Sequence, residues 1–394
     1  TQLNQSRTPQ DILQIIDGTN ALDRQLLRIH RWSLTYADVF YKILAQWTGD
    51  LAQSLISNVP NKTREVNQEL GALAQLPAPL TAELLERIQN HAPLDAQEKR
   101  TADALKQFLE RHGHRAFSLD LAHPTFTDDP TQLLPLIQSP PPPNEFQLRE
   151  DYRIIAKRAV KNLRLWQRIL FRPILTLARR YAQLREDQRY YWQQSLAVTR
   201  RAYLKLGAAL TAKEILSTPQ DIFYAARLEI QEYYTGQMNR NELAAKIHAR
   251  REQWKHYEQE AREHGANNYP LFLRGDAPVL ETKPLHVNGT EWHGRGISPG
   301  IARGVARIVH DPRELGRVNA GEILVAPSTD PAWTPVFARL AGLALERGGV
   351  LSHGAVVARE YHLPAVAAIA NLTQEIQDGE EIQVDGTNGI VRRL

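Results

Sequence analysis

One short segment constrains the fold more than any other, the run Gly348-Gly349-Val350-Leu351-Ser352-His353-Gly354-Ala355. The apolar residues 343–345 before it predict a strand, and residues 355–361 after it predict a short helix. Glycines on both sides of the histidine allow close backbone approach, and Ser352 is a suitable helix N-cap. Because the N-terminus of a helix favours negative charge, this strand–turn–helix unit predicts an anion site beside His353.

An imidazole in this setting suits a phosphohistidine, because a ring nitrogen can attack phosphorus while the turn stabilises the added charge. The pattern alone is equally compatible with a structural histidine that caps a helix or fills a crevice. The phosphohistidine interpretation requires a ring that a nucleotide or an alcohol can reach. The residues expected to bind the phosphate come from the turn and from two hydroxyl-rich loops that can meet it at one end of the sheet: Ser352, Gly349, Gly354, Ser298 and Thr329.

The length and composition of the chain set outer bounds on its class. With 394 residues it is long enough for two or three domains. The absence of cysteine excludes disulfides, thiolate zinc sites and cysteine catalysis. No apolar run reaches the length of a transmembrane helix, and the polar N-terminal residues lack the pattern of a signal peptide. We therefore expect a cytoplasmic protein.

The spacing of apolar residues along the chain changes near residue 296. Apolar residues recur at three- and four-residue spacing through residues 1–274, which predicts a mostly helical domain that the proline run near 140–145 can subdivide. Residues 275–295 have no clear period and predict a linker. Residues 296–394 hold short β-type runs with one or two helices. The expected fold class is therefore multidomain, α followed by α/β, with a C-terminal β/β/α domain.

Two further groups of charged residues are candidates for chemistry. Arg185 and Arg189 lie one helical turn apart, so their guanidinium groups can clamp a phosphoryl group, although an ion-pair network with the neighbouring acids explains the spacing as well. In the segment that begins at Gly113, His114 can act as a base and Arg115 as an anion clamp, and Arg115 and Asp120 are the candidates for substrate binding. A purely structural loop fits that segment equally well.

A basic ladder precedes these arginines, since no acidic residue occurs between Tyr152 and Arg185. Its members recur at three- and four-residue steps, which predicts that one helix face carries them all. A face of one sign indicates an anionic partner, although a solvated face remains an equal alternative. Nucleic acid is the weaker interpretation, because aromatic residues do not interleave as stacking platforms. The ladder consists of Arg149, Arg153, Lys157, Lys161, Arg164, Arg168 and Arg172.

Residues 296–394 resemble the swivelling phosphohistidine domain of the PEP-utilising enzymes, the family of phosphoenolpyruvate synthase, pyruvate phosphate dikinase and rifamycin phosphotransferase. The run Gly-Gly-x-x-Ser-His-Gly-Ala at 348–355 is highly specific for that family. The matching segments are 297–300, 324–331, 348–355 and 363–366. The resemblance implies that His353 is transiently phosphorylated.

The helical part resembles the antibiotic-binding domain of rifamycin phosphotransferase and of related PEP-synthase-like proteins. Residues 113–130 look like a "GHR…DP" segment of these proteins, and residues 184–189 resemble an Arg-Glu-x-x-Lys motif whose positive charges are catalytic. Arg189 stands where the motif has lysine. Positive charge is kept but a compact ammonium is not, so the acceptor can differ from that of the family.

The resemblance implies a phosphotransferase of the dikinase type. Because neither an ATP-grasp domain nor a PEP-binding barrel is recognisable in the sequence, ATP and Mg²⁺ are expected to come from an ATP-grasp subunit or domain as partner. That partner would convert ATP to AMP and phosphate and leave a phosphoryl group on His353, for delivery to the hydroxyl of a small-molecule acceptor. No metal site and no cofactor bound by this chain alone are expected. The alternative is a catalytically silent relative that acts as an anionic-ligand or protein-binding module.

Overall fold

The computed structural model describes residues 8–49, 51–56, 59–137, 152–264, 273–275, 277–278, 290–329, 331–350 and 352–394. Its α-helices, in chain order, are α1 Pro9–Thr48, α2 Leu51–Ile56, α3 Lys62–Ala74, α4 Ala82–Gln89, α5 Ala96–His112, α6 Leu134–Ile137, α7 Tyr152–Lys161, α8 Leu165–Thr211, α9 Arg227–Tyr234, α10 Arg240–His264, α11 His353–Glu360 and α12 Leu372–Glu375. Short 3₁₀ helices cover Pro130–Leu133, Pro219–Tyr224, Pro312–Arg317 and Pro331–Arg339. The sequence-based prediction of a helical N-terminal part is confirmed.

The strands follow in the C-terminal part of the chain. They are β1 Leu273–Arg274, β2 Ala277–Pro278, β3 Glu291–His293, β4 Arg295–Ser298, β5 Ile301–Ile308, β6 Ile323–Ala326, β7 Gly342–Leu345, β8 Ala365–Ala367, β9 Glu381–Asp385 and β10 Ile390–Arg393. Strands β3 to β10 form one sheet with the order β3-β10-β9-β5-β6-β7-β8-β4, in which β5, β6, β7 and β8 run parallel. The expected α/β region is therefore confirmed.

The central parallel strands are buried along their whole length, which explains why they could be recognised in the sequence. Every residue of β6 and of β7 is buried, and a strand covered on both faces needs an unbroken apolar run. Helix α11 forms the crossover from β7 to β8. The residue that begins it, His353, therefore lies at the carboxyl end of the parallel strands, where ligands of such sheets usually bind.

Contacts divide the chain into two compact units, and each has its own core. Unit 1 contains the described residues within Thr1–Leu26, Ser118–His123 and Trp192–Lys283; unit 2 contains those within Leu27–Phe117, Pro124–Tyr191 and Pro284–Leu394. In unit 1, residues such as Ile16, Leu206 and Ile230 are fully buried together. In unit 2, one core cluster joins Phe108 of α5 with Phe337 and Leu345 of the sheet region. Domain boundaries at 274 and 296 stay predictions, and most of the expected linker 275–295 lies outside the described residues.

The prediction that one helix face carries the basic ladder is wrong. The chain leaves helical geometry at residues 162–164, so the described members are divided between α7 and α8. Arg168 itself stabilises this break: its guanidinium donates to the carbonyl of Leu163 at 3.0 Å and to that of Lys161 at 2.9 Å, which satisfies the open carbonyls where α7 ends. Arg149 lies outside the described residues.

No helix among the residues that the structure describes combines the length and the apolar character needed to cross a membrane.

Candidate functional site

The topology of the sheet brings two of the predicted phosphate-binding segments together. Thr329 lies in the loop after β6 and His353 in the turn after β7, and these two strands are parallel neighbours. Their carboxyl ends therefore open to the same edge of the sheet. A Cβ atom added to Gly354 would lie 2.3 Å from the Oγ1 atom of Thr329, which shows how closely the two loops approach.

The turn itself has the geometry of a capped helix start. Ser352 is the N-cap of α11, and its Oγ accepts a hydrogen bond from the N–H of Ala355 at 3.3 Å. The N–H of Ser352 in turn donates to the carbonyl of Gly349 at 2.8 Å. The hydroxyl of Thr329 is buried without a hydrogen-bond partner among the described residues. A buried hydroxyl beside a helix N-terminus can donate to an anion there.

The ring of His353 faces helix α8. Its Nδ1 atom lies 3.1 Å from Oε2 of Glu186, and both side chains are buried. The side chain of His353 is only 7% exposed, so in this conformation the ring is not reachable by a nucleotide or an alcohol. The expectation of an accessible ring is therefore wrong for this arrangement of the chain. The physical reason is the docking of α11 against α8, which covers the ring with a carboxylate partner.

Glu186 is held as a carboxylate despite its burial. Burial alone would raise its pKa, but the hydrogen bond and positive charge of His353, together with the guanidinium groups of Arg185 and Arg189, more than offset that effect and lower the pKa to about 2. The carboxylate is therefore ionised at neutral pH and can accept a hydrogen bond from the Nδ1–H of His353.

The two predicted arginines lie in α8 on either side of Glu186. Burial lowers the pKa of Arg185 from its usual value, and the nearby charge of Arg189 acts in the same direction. Arg185 and Glu186 line a small cavity together with Val356 and Arg359 of α11. The cavity has a volume of about 30 Å³.

Two other predicted residues, Ser298 and Gly349, differ in their surroundings. Ser298 ends β4, is 1% exposed, and has a hydroxyl without a hydrogen-bond partner among the described residues. The guanidinium of Arg359 donates to the carbonyl of Ile297, the residue before it, at 2.9 Å. Gly349 has open space around the position of a Cβ atom, so close backbone approach is not what requires glycine there.

The three candidates near residue 114 are His114, Arg115 and Asp120, and each has different surroundings. His114 packs edge-on against the ring of Tyr190, with the ring centroids 4.6 Å apart. Burial and then the positive charges of Arg115 and His112 lower the pKa of His114 to about 4, so it is neutral and only weakly basic at pH 7. Arg115 is buried in unit 2, whereas Asp120 is exposed in unit 1 and accepts from the N–H of Ala122 at 2.9 Å.

The sequence missed Glu186 as a functional residue. Its position between two arginines indicated an ion-pair network, and the structure instead directs its carboxylate to a histidine that is 167 positions away. The signal that was available is the Arg-Glu-x-x-Lys resemblance itself, in which the acidic residue is as much a part of the motif as the charges around it.

Family models match both sides of this contact. The mobile domain of PEP-utilising enzymes matches residues 318–389, which include His353. The fourth domain of rifampicin phosphotransferase matches residues 29–186, which end at Glu186. The C-terminal part of the chain is thus similar to the mobile domain of the PEP-utilising enzymes, and the helical part to a domain of rifampicin phosphotransferase. The resemblance noted in the sequence is thereby confirmed for both the helical part and the histidine-bearing part.

Several known proteins are similar to large parts of the chain. Rifampicin phosphotransferase of Bacillus cereus is 27% identical over 381 residues, which cover 89% of the chain and 42% of that protein. Chondramide synthase of Chondromyces crocatus is 30% identical over 382 residues, covering 86% of the chain and 10% of the synthase. Phosphoenolpyruvate synthase of Escherichia coli is 34% identical over 121 residues, covering 30% and 15%. The chain thus spans less than half the length of each of these relatives.

Proposed function

We propose that this chain carries a phosphoryl group on His353 and delivers it to the hydroxyl of a small-molecule acceptor, as the transfer component of a dikinase-type phosphotransferase. The observation that carries the proposal is the 3.1 Å contact between Nδ1 of His353 and the ionised carboxylate of Glu186. The match to the mobile domain of PEP-utilising enzymes and the similarity to rifampicin phosphotransferase support the same class of reaction.

The contact sets the tautomer of the histidine. A carboxylate can only accept, so the neutral ring places its proton on Nδ1 and its lone pair on Nε2. Nε2 is therefore the nitrogen that attacks phosphorus. While Nε2 carries the phosphoryl group the ring is positively charged, and Glu186 stabilises that charge from the other side, as the carboxylate of a catalytic triad stabilises its imidazolium.

In the transfer step the acceptor oxygen forms a bond to phosphorus as the bond between phosphorus and Nε2 breaks. The electron pair of the broken bond returns to Nε2, which restores the neutral imidazole with its proton on Nδ1. The hydroxyl proton leaves to a base, and His114 remains the candidate. Its low pKa is tolerable, because phosphoryl transfer passes through a loose transition state that demands little activation of the nucleophile. Arg185 and Arg189 offset the charge on the phosphoryl oxygens.

The acceptor and the donor need a more open arrangement than the one described. The side chain of His353 is 7% exposed, so neither a nucleotide nor an alcohol reaches the ring in this arrangement. The proposal therefore includes separation of His353 from Glu186 while the group is loaded. During transfer, α8 and α11 open far enough to admit the acceptor while Nδ1 of His353 stays in contact with Glu186. The segment 275–295 is where we expect the chain to turn.

Mg²⁺ and ATP are assigned to an ATP-grasp partner in this proposal. Mg²⁺ prefers an octahedral set of oxygen ligands, usually with several waters. Among the described residues, the carboxylate in contact with His353 is that of Glu186, which is already paired and lies between two arginines. This donor set does not suit Mg²⁺, so no step of the transfer is routed through the metal at this site.

The test combines the chain with a purified ATP-grasp partner, Mg²⁺, ATP labelled at the β-phosphate and a panel of hydroxyl-bearing metabolites. We expect label on the chain that is stable in base and labile in acid, and its transfer to one class of acceptor. The variant His353→Ala should carry no label at all. The matched control is His293→Ala, which removes an exposed histidine from strand β3 of the same sheet and should leave the labelling unchanged.

Two outcomes would overturn the proposal. One is a His353→Ala protein that is still labelled or still transfers phosphate. The other is a wild-type chain that takes no label from the partner, in which case the buried pair of His353 and Glu186 would be structural and the silent binding module would be the better interpretation.

A further inference from the structure

Three potential metal ligands converge in unit 2 at a place that the proposed reaction does not use. Glu65 and Glu69 lie one turn apart on α3, and His112 is the last residue of α5. Their donor atoms all lie within 4.8 Å of one another. The closest pair is Nε2 of His112 and Oε2 of Glu69, 3.1 Å apart. The histidine is 1% exposed, whereas the two glutamates are partly exposed, so the site is open to solvent on one side.

The hydrogen bonds around His112 determine which of its ring nitrogens carries the proton. The hydroxyl of Tyr190 lies 3.0 Å from the carbonyl of Arg111, which can only accept, so the hydroxyl proton is used there. The same hydroxyl oxygen lies 2.9 Å from Nδ1 of His112 and must therefore accept from it. In the neutral ring, Nε2 then presents a lone pair to the carboxylate of Glu69. Two acceptors that face each other at 3.1 Å repel one another unless a positive species binds both.

We propose that Glu65, Glu69 and His112 bind a divalent transition-metal ion of the zinc type, with water completing the coordination. Imidazole and carboxylate bind Zn²⁺ at about 2.0–2.2 Å, so two donors of one tetrahedral ion lie roughly 3.3 Å apart. The separation between Nε2 of His112 and Oε2 of Glu69 is close to that value. The Tyr190 hydroxyl on Nδ1 is the outer partner that commonly orients a metal-binding histidine.

The charges around the two glutamates leave room for the ion. Lys62 contacts Oε2 of Glu65 at 2.7 Å, and Arg111 contacts Oε1 of Glu69 at 2.7 Å. Each ion pair therefore engages one oxygen of its carboxylate, and the second oxygen of Glu69 is the one directed to His112. An imidazole with two carboxylates suits zinc better than magnesium, which prefers oxygen ligands throughout.

This site could not be predicted from the sequence, because its halves lie in different helices. Glu69 and His112 are 43 positions apart, and neither belongs to a metal-binding motif. An ion here would tie α3 to the end of α5, and through Tyr190 to α8. Since the rings of His112 and His114 both pack edge-on against the ring of Tyr190, the ion would also fix the loop that carries this candidate base.

The experiment measures metal binding by the untagged full chain after treatment with a chelator. Zn²⁺ should raise the melting temperature, Mg²⁺ should not, and Co²⁺ should give visible absorption bands typical of a site with nitrogen and oxygen ligands. Glu69→Gln and the more exposed Glu65→Gln should each weaken Zn²⁺ binding by roughly 100-fold or more. Glu83→Gln, on an exposed position of α4, is the matched control and should bind as the wild type does.

Equal Zn²⁺ affinity in the wild type and in both ligand variants would overturn the proposal, because the ion would then bind elsewhere on the surface. Failure of the wild type to bind Zn²⁺ would overturn it as well and would leave a proton on Nε2 as the positive species between His112 and Glu69. If Glu69→Gln does not fold, Glu65→Gln decides the question, since its side chain is 43% exposed.

Discussion

Two buried histidines in unit 2 have the same local contact and opposite surroundings. Nδ1 of His353 and Nε2 of His112 each lie 3.1 Å from a glutamate oxygen. Around His353 the neighbours are two arginines and a helix N-terminus, which favour an added negative group. Around His112 two carboxylates converge, and the ion pairs of Glu65 with Lys62 and of Glu69 with Arg111 each occupy one oxygen, which leaves donors for a positive ion.

The difference shows that a histidine–glutamate pair does not define a function by itself. At the first site Nδ1–H of His353 donates to the carboxylate of Glu186, which leaves the lone pair of Nε2 for the proposed attack on phosphorus. At the second, Nδ1–H of His112 donates to the hydroxyl of Tyr190, which leaves Nε2 facing the carboxylate of Glu69. We therefore expect the ring nitrogen that faces the acid, and the ligand atoms that remain free beside it, to distinguish phosphoryl transfer from metal binding. The comparison can be tested at each of these points.

The largest effect is expected from Glu186→Gln. The amide keeps the shape of the side chain but removes the charge that stabilises the phosphorylated ring, and it no longer fixes the proton on Nδ1. We expect phosphoryl transfer to fall by about 100-fold or more, by analogy with amide substitution of a triad aspartate. Single-turnover measurements with phosphorylated chain would check this, and Glu83→Gln should transfer normally.

A positioning role also predicts a changed pH profile. Loss of the charge beside His353 should move the acidic limb of the transfer rate in Glu186→Gln relative to the wild type. A variant that loses rate at every pH by the same factor, with reduced stability, would contradict this role and would leave Glu186 as a packing residue.

The acid dependence of stability is the second test at the His353 site. The pKa of Glu186 is lowered to about 2 in the folded chain, against an ordinary value of 4.5. A lowered pKa contributes stability that is present above pH 4.5 and is lost as the pH falls towards 2. The full contribution is about 3 kcal/mol. It depends on His353, Arg185 and Arg189, which face the carboxylate.

The measurement is the free energy of unfolding of the wild type and of Glu186→Gln between pH 6 and pH 2. The gap between the two proteins should narrow as the pH falls through this window. A gap that stays constant would show that Glu186 contributes through packing, and the charge-based distinction between the two histidine sites would fail.

Tyr190→Phe tests whether the His112 site and the His353 site act independently. The variant loses the hydroxyl that orients His112, so Zn²⁺ affinity should fall by about tenfold or more. Labelling of His353 by the ATP-grasp partner should be unchanged. Tyr191→Phe is the matched control, because its side chain is the exposed neighbour on the same helix. Unchanged Zn²⁺ affinity in Tyr190→Phe would contradict the proposed role of the hydroxyl.

The residues that the sequence could place are those whose environment is set by short-range structure. Strands β6 and β7 read as apolar runs because both of their faces are buried, and Ser352 was recognisable as an N-cap. The meeting of Thr329 with the His353 turn follows from parallel strand order. The partners Glu186 and Glu69 could not be predicted, because the contacts join residues 167 and 43 positions apart through helix packing.

The smallest expected effect concerns the backbone of the phosphate turn, and a pair of glycines tests it. In Gly354→Ala the new Cβ would lie 2.3 Å from Oγ1 of Thr329 and 3.1 Å from Cδ1 of Leu345. Overpacking of this kind costs about 2 kcal/mol, while alanine gains about 1 kcal/mol over glycine inside a helix, so we expect a net loss of about 1 kcal/mol. Gly349→Ala, where nothing lies within 4 Å, should change stability by less than about 0.5 kcal/mol.

The clash also predicts that the stability effects of Gly354→Ala and Thr329→Ala are coupled, which tests whether contact with Thr329 is the cause of the loss. If contact with Thr329 is what destabilises Gly354→Ala, then adding Thr329→Ala should restore most of the lost stability in the double variant, because the methyl group would then have room. If the double variant is instead destabilised by the sum of the two single changes, the loops do not press on each other at this point. The hydroxyl of Thr329 would then be too far from the turn to bind the phosphoryl group on His353, and the anion-binding surroundings of that histidine would rest on the arginines of α8 and the N-terminus of α11.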